Sequence, residues 1–305
     1  MISLRQLRYL DALARTGHFG RAAELVHVSQ PALSMQIKEL EAQLGTPLIE
    51  RRRHEIRLTP LGVEVHRRAH EILAAARDLM DYARHGARTL SGPLSLGIIP
   101  SIAPYLLPGA LPLLRERYPD LRLRLRETQT NTLIEELSAG ELDVILLSLP
   151  LHEPDIETLH LFDDRFFFVT KAAPPALDSN SRVSQSMIDT SKLLLLEEGH
   201  CLRNQALQFC GTARNAVASA GVPDLGASSL STIMRLIANG YGATLLPEMA
   251  LPAEIAANRD VVALRFHDPE PRREIGLAWR KTSARKDDFV HLGKVFIDSR
   301  ASPEH

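Results

Sequence analysis

Ser91-Gly92-Pro93 separates two hydrophobic periodicities that cannot belong to one kind of element. Before it, apolar residues recur every three or four positions, the spacing of one helix face. After it they alternate, as in Leu94, Leu96 and Ile98 or Leu121, Leu123 and Leu125, the spacing of a strand with one buried face. A helical N-terminal part joined to an α/β body is therefore expected. At 305 residues the chain is long enough for two or three domains with their own cores.

Leu4, Leu7, Leu10 and Leu13 mark a first helix, and Gly17 can stop it. A short second helix runs through Arg21-Ala22-Ala23-Glu24-Leu25. In Val28-Ser29-Gln30-Pro31 the serine can cap a third helix, and proline fits its first turn, where the missing N–H costs nothing. That helix carries Leu33, Ile37, Leu40 and Leu44 on one stripe and ends at Gly45 and Pro47. At about 100° per residue, Pro31, Ser34, Met35 and Lys38 project from the opposite side. Small, polar and basic residues near a helix N-terminus, with Ser29 and Gln30 leading in, suit a DNA major groove. Arg51-Arg52-Arg53, with Arg57 behind, sits among Ile49, Ile56 and Leu58, as on a short hairpin whose arginines reach phosphates. Periodicity alone fits a plain three-helix bundle with a solvated basic turn equally well.

Charge divides in the same place. Residues 1–90 hold 14 Lys and Arg against 10 Asp and Glu, while the other 215 hold 22 against 27. A basic small end on an acidic body points to an anionic partner for the small end only. Between the two, Thr59-Pro60 is a strong helix start. Leu61, Val65, Ala69, Ile72, Ala76, Leu79 and Ala83 follow at steps of four or three. Such a stripe serves a helix lying on its own domain or a dimer helix. The second is favoured, because reading two operator half-sites needs two-fold symmetry.

In the body, Val144 to Leu147, Phe166 to Val169, Leu193 to Leu196, Ala243 to Leu246 and Ile275 to Trp279 read as buried strands. Helices are expected near 105–117, 130–139, 203–211 and 230–239, giving α/β with largely parallel sheets. Ligands of such sheets sit beyond the strands' carboxyl ends, where Ser101, Thr128 and Thr130 offer hydroxyls. The commoner role of such hydroxyls is strand-end capping.

Only two cysteines are present, Cys201 and Cys210, too few for a disulfide framework. Cys201 stands where a buried run gives way to a helix, beside His200 and Arg203. A helix N-terminus and cationic neighbours both favour a thiolate, the form that peroxide oxidises. Two inert, buried thiols are the other reading. If both lie on one helix, nine positions separate them by about 13–14 Å. A disulfide needs Cα atoms within about 7 Å, so bonding would have to unwind the segment.

Phe19-Gly20-Arg21-Ala22-Ala23, then Val28 to Ser34, Ile37-Lys38-Glu39-Leu40-Glu41 and Leu44-Gly45, resembles the winged helix-turn-helix of LysR-type transcription regulators. Gly199-His200-Cys201-Leu202-Arg203, Gln205-Ala206 and Phe209-Cys210 resemble the redox segment of that family's peroxide-sensing members. So do Gly97-Ile98-Ile99-Pro100, Pro104 to Pro108, Thr244-Leu245-Leu246-Pro247 and Glu270-Pro271-Arg272-Arg273.

The resemblance implies a winged helix-turn-helix over 1–58, a linker and dimerisation helix over 59–90, and a redox-sensing regulatory domain over 91–305. That domain would be two Rossmann-like lobes of the periplasmic-binding-protein kind, lobe I about 91–163 and 268–305, lobe II about 164–267. It implies that Cys201 is the peroxidatic cysteine and Cys210 the resolving one. Ser101, Thr130, His200 and Arg203 would form the peroxide pocket and support the thiolate. The partners implied are double-stranded operator DNA, hydrogen peroxide, further copies of the chain as dimer or tetramer, RNA polymerase, and a thiol reductant such as glutaredoxin or thioredoxin. No cofactor, metal or enzyme activity is expected. This chain departs from the pattern at Ser101, in place of threonine, and at Asn204, in place of aspartate. The stretch 211–226 is also longer than usual, and 172–190 resembles the family poorly.

Three other functions compete. A LysR-type regulator could bind a small effector in the cleft, with incidental cysteines. A thiol peroxidase would leave the DNA-reading module unexplained, and a solute-binding protein would not need the first 90 residues. No basic-then-apolar leader opens the sequence and no apolar run approaches membrane-spanning length, so a cytoplasmic protein with no membrane partner is expected.

Overall fold

The computed structural model describes residues 1–52, 55–85, 89–172, 182–210, 227–258 and 260–301. Contacts divide the chain into a unit built on Met1–Gly86 and a second holding most of the remainder.

In the first unit each helix begins on the polar residue that caps it. α1 (Leu4–Thr16) starts with a capping box between Ser3 and Gln6 and stops at Gly17, whose φ of +60° is left-handed. α2 spans Phe19–Leu25. In α3 (Gln30–Leu44) the Ser29 side chain accepts the Ala32 N–H, and Gly45 ends the helix. Leu10, Leu13, Ala22, Leu33, Ile37 and Leu40 are buried together with Leu48. Burying each larger side chain stabilises this small core by about 1.5–3 kcal/mol. β1 (Ile49–Arg52) and β2 (Glu55–Leu58) form the expected antiparallel hairpin, with Ile49 opposite Leu58.

α4 (Pro60–His85) follows at once. The Thr59 hydroxyl accepts the Gly62 N–H, and a Cβ at Gly62 would stand 2.0 Å from the Leu48 carbonyl oxygen. Only glycine lets the helix leave the hairpin so closely. Ala69 and Leu73 of α4 pack on Leu7 of α1, whereas Leu61, Ile72 and Leu79 of the same heptad-like stripe are exposed.

The second unit holds two cores on a shared strand. β3 (Gly92–Ile98) lies parallel to β4 (Leu121–Glu127) and to β5 (Val144–Leu149). The connections are α5 (Ala103–Arg117) and α6 (Thr130–Ser138). β4 is the edge strand, so Arg122, Arg124 and Arg126 face water. β6 (Ile156–Lys171) is 16 residues long and changes partners partway. Ile156 to Arg165 pair with β10 (Arg272–Arg280), which also pairs with β5. Phe166 to Lys171 pair with β8 (Ala243–Pro247) on one side and β9 (Val261–Phe266) on the other. β7 (Arg182–Val183) is parallel to β9.

One core gathers Leu96, Ile98, Leu146, Leu277 and, from α10 (Lys286–Ala301), Phe289 and Phe296. The other gathers Val169, Leu196, Leu245 and Phe266 with α7 (Cys201–Phe209), α8 (Leu230–Ala238) and α9 (Leu251–Ala257).

Two sequence expectations need correcting. The sheets are mixed rather than largely parallel, because β10 returns antiparallel to β5 and β6, and β6 is antiparallel to β8 and β9. Leu193 to Leu196 is buried but forms only single parallel bridges, Leu193 to Ala243 and Leu196 to Ala227. Its carbonyls are used elsewhere: that of Leu194 accepts the Thr244 hydroxyl, and that of Leu196 accepts Arg203.

Candidate functional site

Cys201 is the first residue of α7 and His200 its N-cap. Together with Ile99, Pro100, Ser101, Gln129, Thr130 and Gly199 they line one narrow cleft. Ile99, Pro100 and Ser101 follow the carboxyl end of β3, Gln129 and Thr130 that of β4, and α6 begins at Thr130. The N-termini of α6 and α7 thus both border the same small volume, an arrangement that favours negative charge. Gly199 makes the approach possible. Its φ is +94°, and a Cβ there would stand 2.3 Å from Gln129 Oε1.

The two hydroxyls in the cleft are held differently. Thr130 Oγ1 is buried and has no hydrogen-bond partner among the described residues. Ser101 Oγ accepts from Arg273 Nη1 at 2.8 Å, and Arg273 Nη2 donates to the Ser101 carbonyl at 3.1 Å. A guanidinium can only donate, so the Ser101 proton remains available to the cleft. Arg273 in turn donates through Nε to Asp164 Oδ2 at 2.9 Å, both side chains fully buried. Asp164 Oδ1 accepts the Met249 N–H. Asp164 lies on β6 beside its change of partners, so this ion pair holds Ser101 from the strand that joins the two cores.

The basic neighbours of Cys201 differ from expectation. His200 is 8% exposed, and burial pushes its pKa below the ordinary value despite Glu197 nearby, so it is neutral at pH 7. Arg203 is absent from the cleft lining, and its guanidinium donates to the Leu196 carbonyl at 3.1 Å. It fastens the turn that carries Cys201.

Cys210 is the C-cap of α7, so both cysteines do lie on one helix, at opposite ends. Cys201 packs against the first core and Cys210 against the second. Burial pushes the Cys210 thiol up, which keeps it protonated and weakly nucleophilic. Phe209 beside it meets Phe266 edge-on at 5.0 Å. Leu202, Ala206 and Leu207 anchor α7 in the second core, while Gln205 Nε2 donates to Ser148 Oγ of β5 at 2.6 Å. The helix is therefore a tie between the two cores.

Gln129, Ser148 and Asp164 escape the sequence reading, and Gly199, Gln205 and Arg273 enter it only within motifs, with no role assigned. Arg273 carries a usable signal: it occupies the same strand face as Ile275 and Leu277, and an inward arginine requires a buried acceptor.

In the first unit Ser29, Gln30, Pro31, Met35 and Lys38 are exposed along the start of α3, and Ser34 is half-buried. Arg51 and Arg52 lie on β1 of the hairpin, and Arg53 falls outside the described residues. Among the described residues no helix is long and apolar enough to cross a membrane.

Residues 4–63 match the bacterial regulatory helix-turn-helix protein, lysR family, and residues 87–292 match the LysR substrate binding domain. The probable hydrogen peroxide-inducible genes activator of Streptomyces viridosporus is 40% identical over 97% of this chain and 94% of its own length. The DNA-binding transcriptional dual regulator OxyR of Escherichia coli K12 is 38% identical over 96% of this chain and 94% of its own. Among solved structures, a full-length OxyR variant from Pseudomonas aeruginosa superposes with a TM-score of 0.76 at 35% identity, covering 97% of this chain and 95% of that one. A peroxide-bound OxyR mutant from Corynebacterium glutamicum gives 0.66 at 34%, covering 98% and 92%. On this likeness the chain belongs to the LysR family of bacterial regulators, among its OxyR-type members.

Proposed function

We propose that this protein is a DNA-binding transcription regulator, not an enzyme, that senses hydrogen peroxide through a reversible Cys201–Cys210 disulfide. The observation that carries the reading is the asymmetry of α7: one thiol in a polar cleft at the helix N-terminus, the other protonated and packed in a different core.

The chemistry follows from that asymmetry. The Cys201 thiolate attacks one peroxide oxygen, the O–O bond breaks, and hydroxide leaves, taking a proton to become water. Ser101 donates a hydrogen bond to the peroxide or the departing oxygen, and Thr130, which lacks a partner among the described residues, does the same. The resulting sulfenic acid is attacked by Cys210, which forms the S–S bond and releases a second water. The ends of α7 must approach for this, so the helix unwinds and its ties to both cores change. A dithiol reductant of the glutaredoxin or thioredoxin kind returns both thiols.

DNA is read by Ser29, Gln30, Pro31, Ser34 and Lys38 in the major groove, with Arg51, Arg52 and Arg53 on phosphates. Exposed Leu61, Ile72 and Leu79 of α4 pair two copies, and the dimers assemble further to a tetramer. The regulator works in the cytoplasm, where operator DNA and RNA polymerase are. An organic effector in the cleft is the other reading, and it would leave the two thiols at the ends of α7 without a role.

Footprinting on operator DNA with the reduced protein, and again after one equivalent of peroxide, tests this function. A changed footprint that dithiothreitol reverses supports it. A footprint indifferent to peroxide, yet altered by a small organic metabolite, favours the effector reading.

A further inference from the structure

Asp11, on α1, faces His66 and His70, one turn apart on α4. His66 Nε2 stands 3.1 Å and His70 Nε2 2.7 Å from the same oxygen, Asp11 Oδ1. The two Nε2 atoms are 3.0 Å from each other. All three side chains are half-buried, and they are the one group of three potential metal ligands found among the described residues.

Protons alone cannot satisfy this triangle. Asp11 is ionised at neutral pH, so it only accepts, and each Nε2 facing it would need a hydrogen. The two N–H groups would then meet at 3.0 Å with no acceptor between them. Removing either hydrogen turns a lone pair towards the carboxylate. Every arrangement that satisfies two contacts spoils the third.

A cation satisfies all three at once, since both imidazoles can be neutral and direct their Nε2 lone pairs inward. Ligand atoms about 2.0–2.2 Å from one tetrahedral zinc-like ion stand about 3.3–3.6 Å apart. The observed 2.7–3.1 Å needs a widening of about half an ångström, within the reach of side-chain rotation. We infer that Asp11, His66 and His70 bind one divalent transition-metal ion, of the class that prefers imidazole with carboxylate, Zn²⁺ foremost and Co²⁺ able to substitute.

Its position gives it a consequence. α1 and α4 otherwise meet through the small cluster of Leu7, Ala69 and Leu73. The ion would add a second tie between the helix that supports the DNA reader and the helix bearing the exposed stripe. Nothing in the sequence flags it, because Asp11 is 55 positions from His66 and histidines four apart are unremarkable on a polar helix face.

The test uses the full chain, stripped with a chelator and dialysed against Zn²⁺. The wild type and the Cys201→Ser/Cys210→Ser variant should each retain one ion per chain and melt at a higher temperature than without it. His66→Gln, His70→Gln and Asp11→Asn should each weaken retention by more than about tenfold, since outer-shell changes alone cost about 10–100-fold. Circular dichroism verifies that these variants are folded, and one folded variant is enough. Co²⁺ in place of Zn²⁺ should give d–d absorption without a thiolate charge-transfer band. No retention by the wild type overturns the assignment, as does full retention by a folded His70→Gln or Asp11→Asn chain. Loss in the double-serine variant, with a thiolate band in the wild type, assigns the ion to the cysteines and overturns it equally. None of these outcomes depends on peroxide sensing.

Discussion

Thr130 keeps a buried hydroxyl without a partner among the described residues, which is a cost in stability unless something else uses it. Thr130→Val should therefore leave folding unchanged or improve it, by up to about 1–3 kcal/mol. It should slow oxidation of Cys201 about tenfold, the effect of about 1.4 kcal/mol lost from the transition state. Urea melts and stopped-flow thiol oxidation read the two effects separately, and a destabilised variant with unchanged rate would contradict this role. Arg273→Met strips Asp164 of its buried partner and should cost about 3–5 kcal/mol. His200 supplies a pH dependence of known sign. Its folded pKa lies below the unfolded 6.5, so the unfolded chain binds more protons between the two values. Stability should fall as pH drops through that window, and His200→Asn should flatten the dependence in denaturant melts. At this scale the sequence shows which side chains have suitable chemistry, such as Cys201 and Ser101. It does not show which are already engaged: Arg203 is committed to a carbonyl 3.1 Å away, and only the fold reveals that.

α7 is the element on which the switch depends. With one cysteine at each end, oxidation must convert helix to an irregular turn, and limited proteolysis within 202–210 should increase after peroxide and return to its first level after reduction. Unchanged cleavage would mean the disulfide forms without unwinding. In the hairpin, Arg52→Ala should weaken binding to all DNA sequences and lower the salt slope by about one unit. Lys38→Ala on α3 should instead alter sequence preference or remove one phosphate contact. Equal salt slopes in mutants and wild type would remove the assigned DNA face. Helices were legible because their caps and stripes are local: α3 begins at Ser29 and Pro31 as expected. β6 was legible only in its second half, Phe166 to Val169. Asp163-Asp164-Arg165 interrupts the apolar pattern, yet Asp164 continues the strand because Arg273 neutralises it inside. Long-range pairing of this kind leaves no local trace.

For the whole molecule, the division of charge and the exposed stripe on α4 make one statement. On the proposed reading the basic 90 residues serve DNA, and Leu79, 69% exposed, serves a second copy with Ile72 and Leu61. Leu79→Glu should shift the full chain towards smaller species in analytical ultracentrifugation while leaving its helical signal intact. A wild-type monomer independent of concentration would refute the pairing. A fragment of residues 91–305 should fold alone, because apart from Leu90 both of its cores are built within it. The account stands or falls on the paired thiols. Peptide mapping by mass spectrometry after brief exposure to one equivalent of peroxide should find Cys201 joined to Cys210, and in Cys210→Ser it should find Cys201 as a trapped sulfenic acid. Both cysteines recovered as thiols after peroxide, in a protein that still changes its DNA binding, would contradict it.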